Sequence, residues 1–518
     1  MSEDLAEAVA RTRQRYDETP YLSGPIQRSH PGRLAGVALW RGLAAPEAAP
    51  ARVLEIGCAS GGNLLPLAAT LPESRFLGVD LSPAQIAAGE ARRDRLGLGN
   101  VEFRAASFES LGEADGAFDF ILCHGVYSWI PEALRDSLLG VIRDRLAPHG
   151  VAYVSFNVLP GWRLFQIARD SLRLAARGLD DPQARAARSR ELFSLLATQS
   201  PERHTYGQFW RREAQRMAAG GDAYLEHEVF EDDNAPESFA DFHARLGRFG
   251  LDYLGESVVS GNNPVAFVSE AAEAIEALAV GDREQRETFV DIFTGRSFRE
   301  ALIVRVGRAA TLAAVPPDVV WERLHVLPGL DLKGAPDSDE LEVYRLGDGE
   351  TELTFRGLDV GAALARLVAR KPASSSFADL LPGTEGREAL AEALRLVVEF
   401  GLAAITTTPV LCAAELAERP AVWPLAAQDA VTGERTATFR HAGFKYQPLQ
   451  RFLAPRLDGS RTREDLLDDV VALAVNGQLT VNGPEGPVTD PAEIRSRLAA
   501  SVDQALDGLL RHGLLTSA

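Results

Sequence analysis

The stretch that decides the fold is Val53-Leu54-Glu55-Ile56-Gly57-Cys58-Ala59-Ser60-Gly61-Gly62-Asn63, an apolar run that opens into a glycine-rich turn. A second apolar run, Phe76-Leu77-Gly78-Val79-Asp80, ends in an acid 19 residues after Gly61. Two buried strands that each end in an acid predict a βαβ unit with a ligand site at the carboxyl ends of its strands. Glycine lets the turn approach a ligand closely, and the second acid can accept hydrogen bonds from ribose hydroxyls. The pattern therefore predicts a site for an adenosine-containing cofactor.

The order of acids and glycines in this turn separates two kinds of nucleotide site. Dinucleotide-binding folds use G-x-G-x-x-G, with a pyrophosphate resting on the helix N-terminus. Here the pattern is Glu55-x-Gly57-x-Ala59-x-Gly61, and an acid in front of the first glycine would repel a pyrophosphate. The same acid suits a ligand that carries an ammonium group. Ala59 replaces the middle glycine, which should cost little if its φ angle is negative.

This turn resembles the E/D-x-G-x-G-x-G signature of class I methyltransferases, which use S-adenosylmethionine (SAM). The resemblance implies that residues 57–61 pack against the methionine moiety, that Asp80 binds the ribose, and that Glu55 lies near the methionine ammonium. It further implies that Ser107 accepts from the adenine amino group and that Phe108 covers the ring. The SAM-binding residues predicted in this way are Tyr16, Glu55, Gly57, Cys58, Ala59, Gly61, Asn63, Asp80, Leu81, Ser107, Phe108 and His124.

Further apolar runs complete a predicted sheet. The third, fourth and fifth strands are expected in residues 101–108, 118–124 and 150–157, since short apolar runs are typical of a parallel sheet covered on both faces. A helix with one apolar face (residues 239–249) then leads through Gly250 into a sixth strand. Residues 298–306 are the candidate for an antiparallel seventh strand, with helices inserted before it. We therefore predict an α/β fold with a Rossmann-like, seven-stranded class I methyltransferase sheet.

Composition limits the class of protein. A chain of 518 residues is expected to form about two to four domains. The net charge of −19 argues against a general nucleic-acid binder, which would show a basic surface. Cys58, Cys123 and Cys412 are too far apart to indicate a cysteine zinc site or a disulfide framework, and we expect no metal. The amino terminus lacks the apolar core of a signal peptide and no run approaches ~20 apolar residues, so the expected compartment is the cytoplasm.

The expected organisation has five parts. Residues 163–220 are long helical patterns, which we interpret as an inserted packing or dimer surface that could also shape a substrate groove. The last 200 or so residues contain two loosely similar halves, each ending in an apolar-face helix, a glycine and a short strand, which fits tandem winged-helix-like modules. The acidic balance favours a protein-interaction or structural role for them over DNA binding. The predicted parts are a lid segment (1–50), a SAM-binding core (51–165), a helical insertion with the last core strands (166–308), an α+β winged-helix-like accessory domain (309–415) and a C-terminal winged-helix-like domain (416–518).

Over nearly its full length the chain resembles bacterial class I methyltransferases with a methyltransferase regulatory domain. The best understood enzymes of this kind methylate lysines of a bacterial surface protein. The resemblance therefore implies transfer to an acceptor nitrogen, with a protein lysine favoured, and an inserted dimerisation region. The motifs that carry it, besides the glycine turn, are Tyr16-Asp17-x-x-Pro20-Tyr21, His30-Pro31-x-Arg33-Leu34, His124-Gly125-Val126-Tyr127-Ser128-Trp129-Ile130-Pro131, Asn157-x-x-Pro160-Gly161-Trp162, His227-Glu228-x-x-Glu231-Asp232-x-Asn234-x-Pro236 and Tyr253-Leu254-Gly255-Glu256.

The acceptor side is expected after the fourth strand. The N/D-P-P-Y sequence used for base nitrogens or a glutamine amide is absent there. Tyr127 and Trp129 could line an aromatic channel that favours an amine through cation–π contact, although Trp129 could equally pack beneath the following helix. The candidate catalytic residues are Tyr127, His124 and Tyr21, and the candidate substrate-binding residues are Trp129, His227, Glu228 and Glu231, of which the last three belong to an acidic rim or to a solvated helix start.

Two alternative functions remain open at this point. The first is a methyltransferase that acts on a small molecule or natural-product intermediate, with the accessory domains as a dimer scaffold. The second is a regulatory SAM-binding protein with little transfer activity. A wide acceptor cleft would favour a protein substrate, and a closed pocket under the Tyr16–His30 segment would favour a small one.

Overall fold

The computed structural model describes most of the 518-residue chain. Its described residues are 3–18, 20–21, 23–201, 203–263, 265, 270–309, 316, 318–333, 340–345, 352–356, 358–383, 385–483 and 486–517. Among the described helices, none combines the length and the apolarity that a membrane crossing requires.

The centre of the molecule is a mixed sheet whose strands follow the order β3-β2-β1-β4-β5-β8-β7, with a two-residue strand β6 paired to β5. Strands β1 to β5 are parallel, and β8 is antiparallel to both of its neighbours. This arrangement confirms the predicted seven-stranded class I fold. The strands are β1 Arg52–Ile56, β2 Arg75–Asp80, β3 Val101–Ala105, β4 Phe118–Cys123, β5 Leu146–Leu159, β6 Glu237–Ser238, β7 Leu251–Glu256 and β8 Phe298–Arg305.

Helices cover both faces of this sheet, which explains why its strands read as continuous apolar runs. Alternate strand residues join different clusters, Leu54 with Leu138 and Phe242 on one face and Val53 with Leu64 on the other. The helices of this part of the chain are α1 Glu3–Glu18, α2 Pro31–Trp40, α3 Leu64–Thr70, α4 Pro83–Leu96, α5 Glu132–Arg145, α6 Trp162–Ala175, α7 Pro182–Gln199, α8 Thr205–Val229, α9 Phe239–Arg248, α10 Ala272–Ala279 and α11 Arg283–Thr294.

Helix α9 forms as its sequence predicts. Ser238 caps its N-terminus by accepting from the Asp241 N–H at 3.1 Å. Its apolar face is buried, and Gly250 follows with φ +66°, a left-handed backbone that glycine adopts without strain. The chain then enters β7, so the helix delivers the sixth core strand to the sheet edge.

The helical insertion has an apolar core of its own. Trp162, Phe193, Trp210 and Val229 belong to a cluster separate from those on the two faces of the sheet. The predicted helices over residues 163–220 are present as α6, α7 and α8, and α8 extends to Val229. The insertion therefore packs as a unit that begins directly after the long strand β5.

The C-terminal half repeats a pattern of helices that end in a glycine and a short strand. Gly401 has φ +73° before β14, and Gly513 has φ +71° before the residues that pair with Val422. Its strands are β9 His325–Pro328, β10 Leu330–Lys333, β11 Glu340–Arg345, β12 Glu352–Arg356, β13 Ser375–Ser376, β14 Ala403–Thr406, β15 Arg435–Ala437, β16 Gly443–Lys445, β17 Asn482–Gly483 and β18 Gly486–Pro487. Its helices are α12 Leu358–Ala369, α13 Phe377–Leu380, α14 Arg387–Glu399, α15 Pro424–Thr432, α16 Pro448–Leu453, α17 Arg463–Val475 and α18 Pro491–Arg511.

One apolar core joins this half to the sheet. The cluster that contains Val53 continues through the C-terminal helices to Leu515. Helix α2 lies between the two parts, is buried along its whole length, and its Gly32 carbonyl accepts from Thr407 N at 2.9 Å. The segment predicted as a lid therefore divides in two: α1, Tyr21 and residues 23–26 reach the cavity described below, whereas α2 belongs to the core.

Candidate functional site

A cavity of about 550 Å³ opens at the carboxyl ends of β1, β2 and β4. The sequence-predicted residues that line it are Tyr16, Tyr21, Glu55, Gly57, Cys58, Ala59, Asn63, Asp80, Leu81, Phe108, His124, Trp129, His227 and Glu228. Gly61, Ser107, Tyr127 and Glu231 are not among the lining residues. The topology thus brings most of the predicted site together, from segments that span residues 12 to 298.

The glycine turn after β1 needs its glycines for space as well as for backbone angle. Gly57 has φ +76°, and a Cβ built there would lie 2.4 Å from Val126 Cγ2. Gly61 has φ +72°, and its Cβ would lie 2.4 Å from the Phe103 ring. Gly61 therefore does not line the cavity but allows the turn to pack onto β3.

Ala59 departs from the expectation set for it. Its φ angle is +46°, so the condition that would have made the replacement inexpensive fails. A left-handed conformation costs an L-residue about 1–2 kcal/mol. The turn holds this geometry because the Ala59 N–H donates to Asp80 Oδ2 at 2.8 Å.

Asp80 is a half-buried carboxylate at the end of β2. Its Oδ1 accepts from Ser82 N at 2.9 Å, while Oδ2 accepts from Ala59. Burial raises the pKa of Asp80, and the two backbone N–H groups oppose that rise. Each carboxylate oxygen keeps a further lone pair, so the group can hold hydroxyl groups of a ligand in the cavity.

The carboxyl group of Glu55 is buried in the site with one of its two oxygens lacking a hydrogen-bond partner among the described residues. Its side chain is 3% exposed, and only Oε1 has a partner, the Asn63 Nδ2 donor at 2.8 Å. Oε2 is buried without a hydrogen-bond partner among the described residues. Burial raises the pKa of Glu55 to about 8, against the effect of Asn63. A cation beside Oε2 would satisfy this oxygen and favour the ionised form.

The two residues predicted to contact adenine, Phe108 and Ser107, are placed differently relative to the cavity. Phe108 is buried and lines the cavity, as expected. The Ser107 hydroxyl instead accepts from Glu109 N at 3.2 Å and caps a short 3-10 helix. Ser107 thus serves the local backbone and does not line the cavity, and its contact with adenine stays a prediction. Ala106 lines the cavity in its place.

Aromatic side chains from α1 and the following segment meet α8 over the cavity. The Tyr16 ring stacks on His227 with centroids 4.7 Å apart, and Tyr21 meets the same imidazole edge-on at 5.5 Å. Asp17 accepts from the Ser82 hydroxyl, which ties α1 to the start of α4. These contacts explain how residues near the amino terminus come to cover a site built by the sheet.

The predicted acidic rim is only partly in the cavity. His227 and Glu228 line it, whereas Glu231 is buried and paired with Arg15 at 3.0 Å. Asp232 pairs with Arg173 at 2.7 Å. Glu231 therefore links α1 to the end of α8 and does not line the cavity.

Tyr127 lies in the core instead of at the site. Its side chain is fully buried, and its hydroxyl donates to Glu237 Oε2 at 2.7 Å. Its ring meets Phe242 edge-on with centroids 5.3 Å apart. The positive φ of Gly125 turns the chain after β4, so that Val126 lines the cavity and Tyr127 points into the apolar cluster. Tyr127 therefore does not line the cavity, and its contact with an acceptor stays a prediction.

His124 does line the cavity, and its partners define its protonation. The Tyr153 hydroxyl lies 2.8 Å from Nδ1 of His124 and donates to Glu300 Oε1 at 2.7 Å. Since a hydroxyl has one hydrogen, Nδ1 must carry the proton of this contact, which leaves Nε2 with a lone pair. Burial lowers the pKa of His124, so the imidazole is neutral near pH 7.

Sequence reasoning missed several lining residues. Asn157 is the clearest, because its Nδ2 is buried without a hydrogen-bond partner among the described residues and the residue lines the cavity. Its place at the end of a predicted strand could have revealed it. Trp162 and Phe298 also line the cavity, and Trp162 meets Trp129 edge-on with centroids 6.3 Å apart. Arg169 lies over the Trp129 ring, 5.7 Å from its centroid, so this ring both packs and faces the cavity.

Three family models match separate parts of the chain. A methyltransferase domain matches residues 53–150, a predicted methyltransferase regulatory domain matches residues 221–305, and a PKMT C-terminal winged-helix domain matches residues 418–514. The match of the first model covers β1 to β4 with the helices between them and ends within β5.

Two relatives and a solved structure are similar to this chain. The uncharacterized protein RP789 of Rickettsia prowazekii is 28% identical over 96% of this chain and 93% of its own length. The uncharacterized protein RP028 of the same organism is 35% identical over 44% of this chain and 91% of its own length. The structure of PKMT2 from Rickettsia typhi in complex with AdoHcy superposes with a TM-score of 0.83, at 24% identity, over 96% of this chain and 100% of that one. The last likeness shows that the whole fold is shared.

Proposed function

Because the chain belongs to the class I methyltransferases that combine a methyltransferase regulatory domain with a PKMT C-terminal winged-helix domain, we propose that it transfers a methyl group from SAM to a lysine nitrogen of a protein. The enzyme class follows from the family, and the lysine acceptor is the finer part of the proposal. The solved relative is named a PKMT and carries AdoHcy, the demethylated form of the same donor.

The observation that carries the proposal is the unpartnered Oε2 of Glu55 in the cavity wall. A ligand that brings an ammonium group compensates this buried oxygen, and SAM does so through its methionine end. Asp80 has lone pairs available for ribose hydroxyls, and the Phe108 ring offers an apolar surface to adenine. The cavity, at about 550 Å³, lies within the range of small-molecule and cofactor sites, about 300–1,000 Å³. The residues present therefore fit SAM.

When bound, SAM supplies a methyl group activated by its sulfonium. Glu55 and Asp80 bind and orient the donor, and Tyr16 and Tyr21 cover the cavity and exclude water. The remaining requirement is an acceptor amine that has lost its proton. His124 meets that requirement in our proposal, since its neutral imidazole presents Nε2 as a base at the cavity wall.

An acceptor that arrives as an ammonium also suits the chemistry of four other lining residues. Trp129, Tyr21 and His227 are aromatic, and Glu228 adds a carboxylate beside them. Aromatic faces attract an ammonium or a partly methylated amine. We assign these four residues to the acceptor, whereas Glu231 and Tyr127 support the site through Arg15 and Glu237.

The test is methyl transfer from methyl-labelled SAM into a lysate of the host that lacks the gene. Label in a protein band that maps to lysine by mass spectrometry is the expected result. Label confined to the small-molecule fraction would replace the lysine acceptor with a small one. The Asp80→Ala variant is the control, since it should lose labelling through weaker SAM binding while its acceptor residues are intact. SAM binding without any label would favour a regulatory SAM-binding protein.

We also propose that the chain divides at the predicted domain boundaries, except that α2 belongs to the core and not to the lid, and that the helical insertion forms a homodimer contact. Leu164, Ile167 and Leu174 on α6 are 57%, 40% and 64% exposed and share one helix face. An exposed apolar row of this kind is typical of an interaction surface. Light scattering of the purified chain should give the dimer mass, and Leu174→Glu should shift it to the monomer. A monomeric wild type would contradict the dimer.

A further inference from the structure

Asn63 is a buried junction between the cofactor cavity and two distant segments. Its Nδ2 donates to Glu55 Oε1 at 2.8 Å and to Ser29 Oγ at 3.0 Å. Its Oδ1 accepts from Ile26 N at 2.8 Å and lies 2.7 Å from Nε2 of His441. The side chain is 2% exposed, so these four groups account for its orientation.

His441 comes from the C-terminal domain, 378 residues away in the chain. It lies in the turn between β15 and β16 with φ +57°, a left-handed backbone that L-residues seldom adopt. The His441 N–H donates to the Thr438 carbonyl at 2.9 Å, and the turn is closed by Thr438 N donating to Ala442 at 2.9 Å. The imidazole is buried and meets His30 edge-on with centroids 5.6 Å apart. The turn therefore aims the His441 ring at Asn63.

The direction of this hydrogen bond is defined by its chemistry. Burial lowers the pKa of His441 well below its usual value, and neighbouring His30 and Arg33 lower it further, so the ring is neutral. With Asn63 Oδ1 as the acceptor, Nε2 carries the proton and donates. The Asn63 carbonyl thus faces two donors, and its amide nitrogen is turned toward Glu55. Rotation of this amide would face two oxygens toward each other.

From this geometry we propose that His441 is a positioning residue of the SAM site, which acts through Asn63 to hold Glu55 ready for the donor's ammonium. The C-terminal domain then completes the donor site of a catalytic domain that precedes it in the chain. The inference rests on the proposed function, since it assumes that SAM occupies the cavity.

Contacts around the turn hold this domain against the donor-binding part of the sheet. Arg92 on α4 pairs with Asp429 at 2.7 Å, and Gln428 donates to the Arg95 carbonyl at 2.6 Å. Gln27, which precedes α2, donates to the Arg440 carbonyl at 3.2 Å. A protein partner that displaces the C-terminal domain would therefore change SAM affinity, and SAM would change affinity for that partner by the same factor.

The experiment is calorimetric titration of the full-length chain with SAM, comparing wild type, His441→Phe and His441→Gly. The Phe variant keeps ring volume but has no donor, and the Gly variant suits the positive φ and so avoids backbone strain. Both should bind SAM about tenfold more weakly, the effect of about 1.4 kcal/mol lost from a buried hydrogen bond. Arg92→Gln is the matched control, since it removes one contact of the domain while His441 still reaches Asn63, and it should bind SAM within about twofold of wild type.

The pH dependence of SAM binding distinguishes a His441 that positions Glu55 from a His441 that only stabilises the fold. The titratable groups that face Glu55 are Asp80 from the end of β2, Cys58 from the glycine turn and Cys123 from β4. Without His441 the Asn63 donor no longer favours ionised Glu55. The pH at which SAM affinity increases should therefore be higher in the His441 variants than in wild type. Wild-type affinity in both His441 variants would overturn the inference, as would equal weakening in Arg92→Gln. A wild-type chain that does not bind SAM would instead overturn the proposed function and this inference with it.

Discussion

The hydroxyl of Tyr153 lies 2.8 Å from Nδ1 of His124 and joins the end of β4 to the neighbouring strand β5. Glu300 on β8 accepts from the same hydroxyl, and Arg28 lies 2.5 Å from the other oxygen of Glu300. Four residues from three strands and the amino-terminal segment therefore define which nitrogen of His124 is protonated. The arrangement leaves Nε2 unprotonated on His124, a residue that lines the cavity.

Replacing Tyr153 with Phe should lower kcat while SAM affinity stays unchanged. Without the hydroxyl, the Nδ1 proton of His124 loses its acceptor and the imidazole loses its orientation. A positioned base contributes about 10²–10⁴-fold, so we expect a loss of roughly 10-fold or more. Steady-state transfer assays and calorimetry with SAM measure the two quantities. An unchanged kcat would remove His124 from the role of base.

Replacing Glu55 with Gln should weaken SAM binding by about 1–3 kcal/mol at pH 8.5, the cost of leaving a buried charged partner unsatisfied. The difference from wild type should narrow at lower pH, because burial raises the pKa of Glu55 to about 8 and the wild-type carboxyl is then protonated as well. Calorimetric titration at several pH values measures the effect. A constant difference across pH would contradict the assignment of the ammonium to Glu55.

The same residue predicts how stability changes with pH when no ligand is present. The pKa of Glu55 is raised from its usual 4.5 to about 8, so the folded state holds a proton that the unfolded state releases. Stability should therefore fall as pH rises from about 4.5 to about 8 and then stay level, as far as this group is concerned. Glu55→Gln lacks this decline. Denaturant unfolding of both proteins between about pH 4.5 and pH 8 should show that the free energy of unfolding of the Gln variant increases relative to that of wild type.

Replacing Ala59 with Gly should stabilise the chain slightly. The left-handed φ of +46° costs an alanine about 1–2 kcal/mol and costs glycine nothing. Glycine, however, has more conformational freedom in the unfolded chain, and this entropy offsets part of the stabilisation. We expect a net gain of about 0.5–1 kcal/mol, read from denaturant unfolding. Ala68→Gly, inside the buried helix α3, is the control and should destabilise.

Replacing Tyr127 with Phe distinguishes its two assignments. As a core residue it should cost about 1–3 kcal/mol of stability, because Glu237 loses a buried donor, and kcat should stay within about twofold. Thermal unfolding and transfer assays measure both effects. A large loss of kcat at unchanged stability would return Tyr127 to the catalytic residues.

The pattern of apolar residues within single segments was enough to predict the strands of the sheet. Strands such as β1 and β2 are continuous apolar runs because both faces are covered, and Glu55 and Asp80 end them, so the βαβ unit and its ligand end follow from residue order alone. The C-terminal repeat was likewise visible in its glycines, Gly401 and Gly513.

Side-chain direction after a strand was not predictable in the same way. Tyr127 and Ser107 each follow a correctly predicted strand, yet one turns into the core and the other caps its own backbone. The backbone conformation of the turn decides such outcomes, as the positive φ of Gly125 does for Tyr127, and packing around the turn determines that conformation.

What the sequence by itself determined is therefore the fold class, the glycine turn and the two acids that line the cavity, because these depend on periodicity and on spacing within short stretches of chain. Only the tertiary structure decided the contact of His441 with Asn63, since 378 residues separate them and no local pattern joins their chain segments. It also decided that Tyr153 orients His124, for that contact exists only once β4 and β5 pair side by side.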